Sequence, residues 1–363
     1  MHNSTIQRNQ VITMTVFMLP IKLPGNKYME LLVRSLEQSG LTVKPFDKKK
    51  IYEIRRGDIL HIHWPSFHYT GRNFVQTAVK TAVFLFLLLY LKLRGAAIVW
   101  TVHNVWPHKD GPTRFHRRMR ILLCRVCSKL IVMGDSVRDE LVANFHADAG
   151  KIICIPHGHF KEAYPSRRLN IRERFGIPED AYLFAFIGQI SPYKGLDLLL
   201  RSFKRMGDAE TRLLIAGKPT ADFDVSILQD AGDRVYLSLD FVKDEELADF
   251  LQAADSVVLP YRNITTSGSA ILALSFYRPV VAPDLGLLRD YLTPETSILY
   301  DPSDPDGLMK AMREMKEKRE RYEDVEPFDY KLAELEWSRI SEMTSGVYGN
   351  RGRQVGRVES EAG

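Results

Sequence analysis

Short apolar runs alternate with segments of helical periodicity along nearly the whole chain, and this alternation starts twice. The first series runs through residues 11–19 (VITMTVFML), 41–46, 57–65 and 96–104, then 129–135 (KLIVMGD) and 151–158 (KIICIPHG). Between them lie NKYMELLVRSLEQSG, an apolar helix near 73–94, a basic helix near 113–129 and DSVRDELVANF. The second series opens with YLFAFIGQI and a helix from Gly195. It continues through TRLLIAG, RVYLSLDF, DEELADFLQAA, DSVVLPY, SGSAILALSFY, PVVAP and DLGLLRDYL. Strands that alternate with helices form parallel βαβ units, because a parallel pair needs a crossover connection. The fold class expected is therefore α/β, with two doubly wound parallel sheets.

Length agrees with two series. At roughly 100–200 residues per domain, 363 residues make about two domains. The expected division is 1–165 and 166–326, with the link in KEAYPSRRLN, an amphipathic helix at 327–346 and a disordered tail at 347–363. With 45% hydrophobic and 26% charged residues, the chain is neither disordered, collagenous nor a many-pass membrane protein. The net charge of +5 conceals an asymmetry. Residues 1–165 hold 24 Lys and Arg against 11 Asp and Glu, a net of +13, and the remainder carries −8. A half that basic calls for an anionic partner, nucleic acid or an acidic membrane surface.

The N-terminus lacks the basic region, apolar core and cleavage site of a signal peptide. The longest apolar run, AVFLFLLLYL at 82–91, would rise about 15 Å as a helix, half of a ~30 Å hydrocarbon core. It reads as a buried helix, with an interfacial helix as the sharper alternative. Cys124 and Cys127 form a CxxC inside a helical run with no second ligand pair, so they read as buried thiols in a reducing cytoplasm.

Ligands of open α/β sheets bind beyond the carboxyl ends of the strands, so chemistry is sought there. Beyond the first strand, Gly25 permits close backbone approach and Asn26 can cap the next helix. His61 and His63 share one face of a strand, without a third ligand for a metal. The loop after the fourth strand, 101–111, holds His103, His108 and Asp110. Asp110 is its carboxylate and the candidate general base, with the two histidines as alternatives. In the second half, Gly188 and Lys194 lie between a strand and a helix start, where a cation and open amides favour phosphate. Tyr261 and Arg262 lead into Thr266, Ser267, Gly268 and Ser269, small residues whose amides at a helix start suit a diphosphate. Asp222-Phe223-Asp224 is too short a signal to assign a metal.

In this order the segments NKYMELLVRSLEQSG, DILHIHWP, IVWTVHNVWPH, KLIVMGDSVRDEL, IPHGHF, FIGQISPYKGLDLLL, LLIAG, DEELADFLQAADSVVLPY and SGSAILALSFYRPVVAPDLGLLRDYL resemble the GT-B glycosyltransferases. The likeness is greatest to family-4-like bacterial enzymes of exopolysaccharide and cell-surface polysaccharide assembly. It implies two Rossmann-like domains facing a cleft, an acceptor on the N-terminal one and a nucleotide-sugar donor on the C-terminal one, with no cofactor and no obligatory metal. Glu246 is then a candidate for the nucleotide ribose. The family's usual Gly-Arg is Gly188-Gln189 here, and the paired glutamates of retaining members fall near Thr265 and Ala273. Their loss agrees with an inverting transferase of the β-mannosyltransferase type.

The resemblance implies transfer from GDP-mannose or a UDP-sugar to a lipid-linked saccharide, at the inner face of the cytoplasmic membrane. The basic half would then face anionic lipid rather than nucleic acid, because its aromatic residues do not interleave with the basic clusters as stacking platforms. Arg114, Arg117, Arg118 and Arg120 form the expected lipid-facing set. The rival reading is a non-catalytic nucleotide-sugar-binding or nucleic-acid-binding protein on the same scaffold.

Overall fold

The computed structural model describes residues 14–23, 25–107, 111–262 and 268–349. The first sheet holds β1 (Thr15–Leu19), β2 (Thr42–Pro45), β3 (Ile59–His63), β4 (Ala97–Thr101), β5 (Lys129–Val132) and β6 (Ile152–Cys154). The second holds β7 (Tyr182–Ile187), β8 (Thr211–Ala216), β9 (Val235–Ser238), β10 (Ser256–Val258), β11 (Val280–Pro283) and β12 (Ser297–Tyr300). Their orders are 2-1-3-4-5-6 and 12-11-10-7-8-9, with every pairing parallel. Each sheet is thus doubly wound, as the alternation requires. The direction of winding reverses between β1 and β3 in one and between β7 and β10 in the other.

All residues of β3, β4 and β7 are buried, which parallel strands covered on both faces demand. That is why His61 and His63 lie at 0% exposure although they are polar. The first crossover helix, Lys27–Gln38, starts where Asn26 accepts a hydrogen bond from the Tyr28 N–H at 3.0 Å. β12 and the helix Gly307–Glu317 continue the second winding beyond the expected strands. They were missed because SILY is short and the helix buries a stripe built partly of methionine.

The segment expected as one helix over 327–346 is two helices, Glu326–Glu334 and Trp337–Gly349. The second extends three residues past the expected end, and buries Val347 and Tyr348 that the tail had been expected to contain. It packs on the helix Lys27–Gln38, so the chain's end returns to the first sheet. The Ser35 hydroxyl donates to the Trp337 carbonyl at 2.6 Å, and the Trp337 indole N–H donates to the His159 carbonyl at 2.8 Å. Gly158 makes this approach possible, since a Cβ there would lie 2.3 Å from the Trp337 ring.

The apolar run at 82–91 belongs to a helix of 20 residues, Phe74–Leu93. Only Phe84, Leu87, Leu88 and Leu91 are buried, one stripe facing the domain. The expectation of a buried helix is corrected: Val75, Val79, Val83, Phe86, Leu89 and Leu93 form an opposite apolar stripe that faces out, 46–79% exposed. Arg120 is also corrected, being buried at 2% exposure while Arg114, Arg117 and Arg118 are exposed.

Gly158→Ala tests the returning helix. The added methyl must displace Trp337, an overpacking that costs about 1–3 kcal/mol. Urea denaturation should show that loss; an unchanged midpoint would mean the indole has room to move.

Candidate active-site cleft

The carboxyl ends of both sheets face one cavity of about 770 Å³. Its lining comes from the loops after β1 (Gly25, Asn26), β3 (Trp64), β4 (His103, Asn104) and β6 (His157), and across from them Lys194, Tyr261, Gly268 and Ser269. A second cavity of about 720 Å³ lies at the opposite end of the second sheet, beside Tyr182, Asp255 and Pro279, where β7, β10 and β11 begin. Size does not separate the two. Position does, because only the first lies at the carboxyl ends where the winding reverses.

On the C-terminal wall the structure brings residues far apart in sequence to one place. Gly188 has φ +137, a conformation side chains rarely adopt, and a Cβ there would lie 3.4 Å from Lys194 Nζ and 3.8 Å from Ser269 Oγ. Lys194 is 8% exposed, with its ammonium 5.4 Å from the Tyr261 ring centroid and 5.7 Å from that of Phe186. Desolvation lowers its pKa, and no carboxylate among the described residues pairs with it. A hydrogen bond joins the Tyr261 hydroxyl to Ser269, and burial pushes the phenol up to about 12. The helix Gly268–Ser275 starts here and directs its first amides toward the same region. A desolvated cation beside a helix N-terminus is chemically suited to an anion.

Two expected donor residues are used otherwise. Arg262 is exposed, pairs with Asp197 and donates to the Pro192 carbonyl at 3.4 Å. Glu246 is absent from the cleft lining and is held by Arg174 at 3.2 Å and Arg167 at 3.9 Å. Thr266, Ser267, His108 and Asp110 lie outside the described residues. Asp224 of the DxD-like triplet caps a turn by accepting from the Ser226 N–H at 3.0 Å.

His103 and His157 line the N-terminal wall, with His61 and His63 buried behind it in one cluster of four imidazoles. His103 Nε2 lies 2.9 Å from His63 Nδ1, and its ring stacks on Trp64 at 3.9 Å. Trp64 holds this place with φ +45, strained for a bulky residue. Both nitrogens of His61 are taken, by the Tyr348 hydroxyl at 2.6 Å and the Thr101 hydroxyl at 2.7 Å. Both nitrogens of His61 and Nδ1 of His63 serve hydrogen bonds, while His63 Nε2 is buried without a partner, and the described residues hold no metal-ligating group of three. Cys124 and Cys127 are buried free thiols, and burial pushes Cys124 up to about 11, far from thiolate reactivity.

The fourth imidazole, His157, was missed in the sequence, although IPHG stands at a strand end. Its Nδ1 lies 2.6 Å from the Gly158 carbonyl, which can only accept, so the proton sits on Nδ1 and the lone pair on Nε2. Glu140, also missed, is the one carboxylate among the described lining residues, and desolvation raises its pKa. Burial drives all four imidazoles toward the neutral form, His61 to about 3 and His157 to about 4. The wall therefore presents hydrogen-bonding groups of low charge, suited to holding a hydroxyl. The opposite wall presents a cation.

Two doubly wound sheets, facing each other across a cleft with an anion site on the second, define a GT-B glycosyltransferase. Residues 181–318 match the family of glycosyl transferases group 1. The chain is 27% identical, over 81% of its length, to the GDP-mannose:glycolipid 4-beta-D-mannosyltransferase of Xanthomonas campestris pv. campestris, 80% of which is covered. It is 28% identical over 90% of its length to a D-inositol 3-phosphate glycosyltransferase of Paenarthrobacter aurescens strain TC1, covering 79% of that protein. Among solved structures it resembles sucrose-phosphate synthase from Thermosynechococcus elongatus (TM-score 0.73, 16% identity, 94% of this chain and 100% of that one). It also resembles Anabaena HepE in complex with UDP (TM-score 0.69, 14% identity, 93% and 100%). At these identities the two structures speak to the fold alone, and the fold is the one expected.

The neutral imidazoles make stability depend on acid. Their folded pKa lies below the ordinary 6.5, so the stability they contribute is present above that value and is lost as pH falls through the window down to about 4 for His157 and 3 for His61. These two alone take away about 2 kcal/mol between pH 6 and pH 5, at just under ~1.4 kcal/mol per proton and pH unit because the unfolded imidazoles are not fully protonated at pH 6. Urea unfolding at both pH values measures this; equal stability at the two would show the imidazoles accept protons in the folded state.

Proposed function

We propose that the protein transfers a hexosyl group from a nucleotide-sugar, GDP-mannose or a UDP-sugar, to the hydroxyl of a lipid-linked saccharide in polysaccharide assembly. The observation that carries this reading is the division of the cleft: a desolvated Lys194 with no carboxylate partner among the described residues on one wall and neutral hydrogen-bonding groups on the other. The likeness to a mannosyltransferase named for a glycolipid acceptor supports the choice of substrates. The donor's diphosphate sits against Lys194 and the first amides of the helix at Gly268, which stabilise the negative charge as it grows on the leaving group. The acceptor hydroxyl attacks the anomeric carbon from the N-terminal side and gives up its proton to a base there. His103, His108 and Asp110 are the candidates, with His157 and Glu140 added by position. A base on the wall opposite the leaving group fits inversion, as does the want of acidic residues at Thr265 and Ala273. Lys194 and the helix amides do the work of a cation at the diphosphate, so no metal or other cofactor is needed.

The enzyme acts from the cytoplasmic face as a peripheral membrane protein. The helix Phe74–Leu93 is long and apolar enough to cross a bilayer, but one stripe is committed to the domain core. The outer stripe is free to enter the headgroup boundary. Lys92 and Arg94 at its end, with Arg114, Arg117 and Arg118 on the next helix, add about 1 kcal/mol each toward anionic lipid.

Four measurements follow from this reading. Lys194→Ala should lower both nucleotide affinity and turnover by at least tenfold, and a donor screen with anomeric analysis should return an inverted product without added metal. Unchanged nucleotide affinity, or a retained anomer, refutes the corresponding part. Substituting His103, His108, Asp110, His157 and Glu140 singly should reveal the base as the variant that loses 10²–10⁴-fold in kcat with the donor KM unchanged. In vesicle flotation, Val79→Glu with Phe86→Glu should release the protein from anionic liposomes, and Arg114→Ala with Arg117→Ala and Arg118→Ala should make binding fail at lower salt. Flotation of these variants like that of the wild type would remove the membrane from the proposal.

A further inference from the structure

Arg120 occupies the middle of the helix Arg114–Val126 and is 2% exposed. Its guanidinium lies 4.9 Å from the centre of the Trp100 ring. Among the described residues no carboxylate faces it, and its Nε and Nη1 have no hydrogen-bond partner. The indole Nε1 of Trp100 is also buried without a partner. Native interiors satisfy nearly all buried donors, so three orphans at one place need an explanation. A cation–π contact with Trp100 does not supply it, because that attraction recovers only a fraction of the cost of desolvating a cation.

Arg120 and Trp100 both border one space, with the orphaned nitrogens themselves buried behind its surface. A cavity of about 180 Å³ is bounded by Arg120 and Trp100 and by Ser66, Phe67 and Thr70. It shares Trp64, His103, Asn104 and Pro107 with the main cleft as a common wall. At ~30 Å³ per water it has the volume of about six waters, enough for one phosphoryl group. Arginine is the side chain best matched to such a group, through its planar fork of donors.

We infer that this cavity is an oxyanion subsite, in which Arg120 and the Trp100 indole N–H hold a phosphoryl group beside His103. Resting on the glycosyltransferase reading, it takes the phosphoryl linkage of the lipid-linked acceptor and so sets the saccharide's reach toward the cleft. Free phosphate offers the same oxygens, and the tests distinguish the two sources. The subsite lies on the N-terminal wall and is separate in sequence and in lining from the donor site at Lys194.

The full-length protein is titrated with inorganic phosphate, followed by tryptophan fluorescence and thermal shift. Lys194→Ala should bind phosphate at this site as the wild type does, while Arg120→Met should bind at least tenfold more weakly. Arg120→Lys, which keeps the charge but not the fork, should fall between them. Arg120→Met should keep its melting temperature, since an apolar chain replaces an unpaired buried cation; should it misfold, the Arg120→Lys titration decides in its place. Wild-type phosphate affinity in Arg120→Met, or in Arg120→Lys in that event, overturns the inference, as does binding abolished by Lys194→Ala alone. Failure of every nucleotide to bind, with Arg120-dependent phosphate binding intact, would instead overturn the transferase reading. With purified enzyme, Arg120→Met should raise KM at least tenfold for a phosphoryl-linked glycolipid and leave KM for an uncharged alkyl glycoside within twofold. An equal rise for both, with phosphate binding still dependent on Arg120, would assign the site to free phosphate.

Discussion

The return of the last helix to the first sheet is the constraint on which the cleft depends. Trp337 lies against Gly158 and binds the His159 carbonyl, while Tyr348 binds His61 inside the imidazole cluster. The end of the chain thus fixes the loop after β6 and the floor of the N-terminal wall together. From the other side, the Tyr291 hydroxyl donates to the Met133 carbonyl at 2.6 Å and accepts from the His157 N–H at 2.8 Å. Phe160 N–H donates to Ser275 Oγ at 2.9 Å. These bonds join groups buried between the two sheets, where an unmade partner costs about 1–3 kcal/mol. The two rows of strand ends are held in register by them.

Burial without a counter-charge recurs in the molecule. Lys194 and Arg120 are both desolvated, and neither meets a carboxylate among the described residues. A charge moved into the interior loses several kcal/mol of solvation, which only a partner restores. Surface cations such as Arg114 and Arg117 bear no such cost. The imidazoles respond to the same burial by giving up their charge, which an arginine cannot do at neutral pH. Ligand binding in this enzyme can therefore draw on desolvation already incurred in folding, a form of preorganisation.

The +13 of residues 1–165 takes two destinations in the fold. Arg114, Arg117 and Arg118 face out beside an exposed apolar stripe, and Arg120 faces in. The one-face spacing of a helix explains the divergence: Arg120 shares the buried stripe with His116, Met119, Leu123 and Cys124, three or four residues apart. The same periodicity gives the helix Phe74–Leu93 two apolar stripes, only one of which has a core to enter.

Alternation of strands and helices was enough to specify two parallel doubly wound sheets, since crossover connections leave little other choice. Gly188, Lys194, Gly268 and Ser269 were legible as neighbours at strand ends and helix starts, because local backbone chemistry marks such places, and the structure brings them to one wall of the cleft. His157, Glu140 and the Arg120 cavity were not legible, because each owes its place to packing between segments far apart in the chain. The opposed fates of Arg262 and Lys194 illustrate the limit. Both are cations near strand ends in the sequence, but only the tertiary structure supplies Asp197 to the one and withholds a carboxylate from the other. Pattern along a chain reports which face a residue takes on its own element; charge pairing and desolvation depend on what the other elements bring to that face.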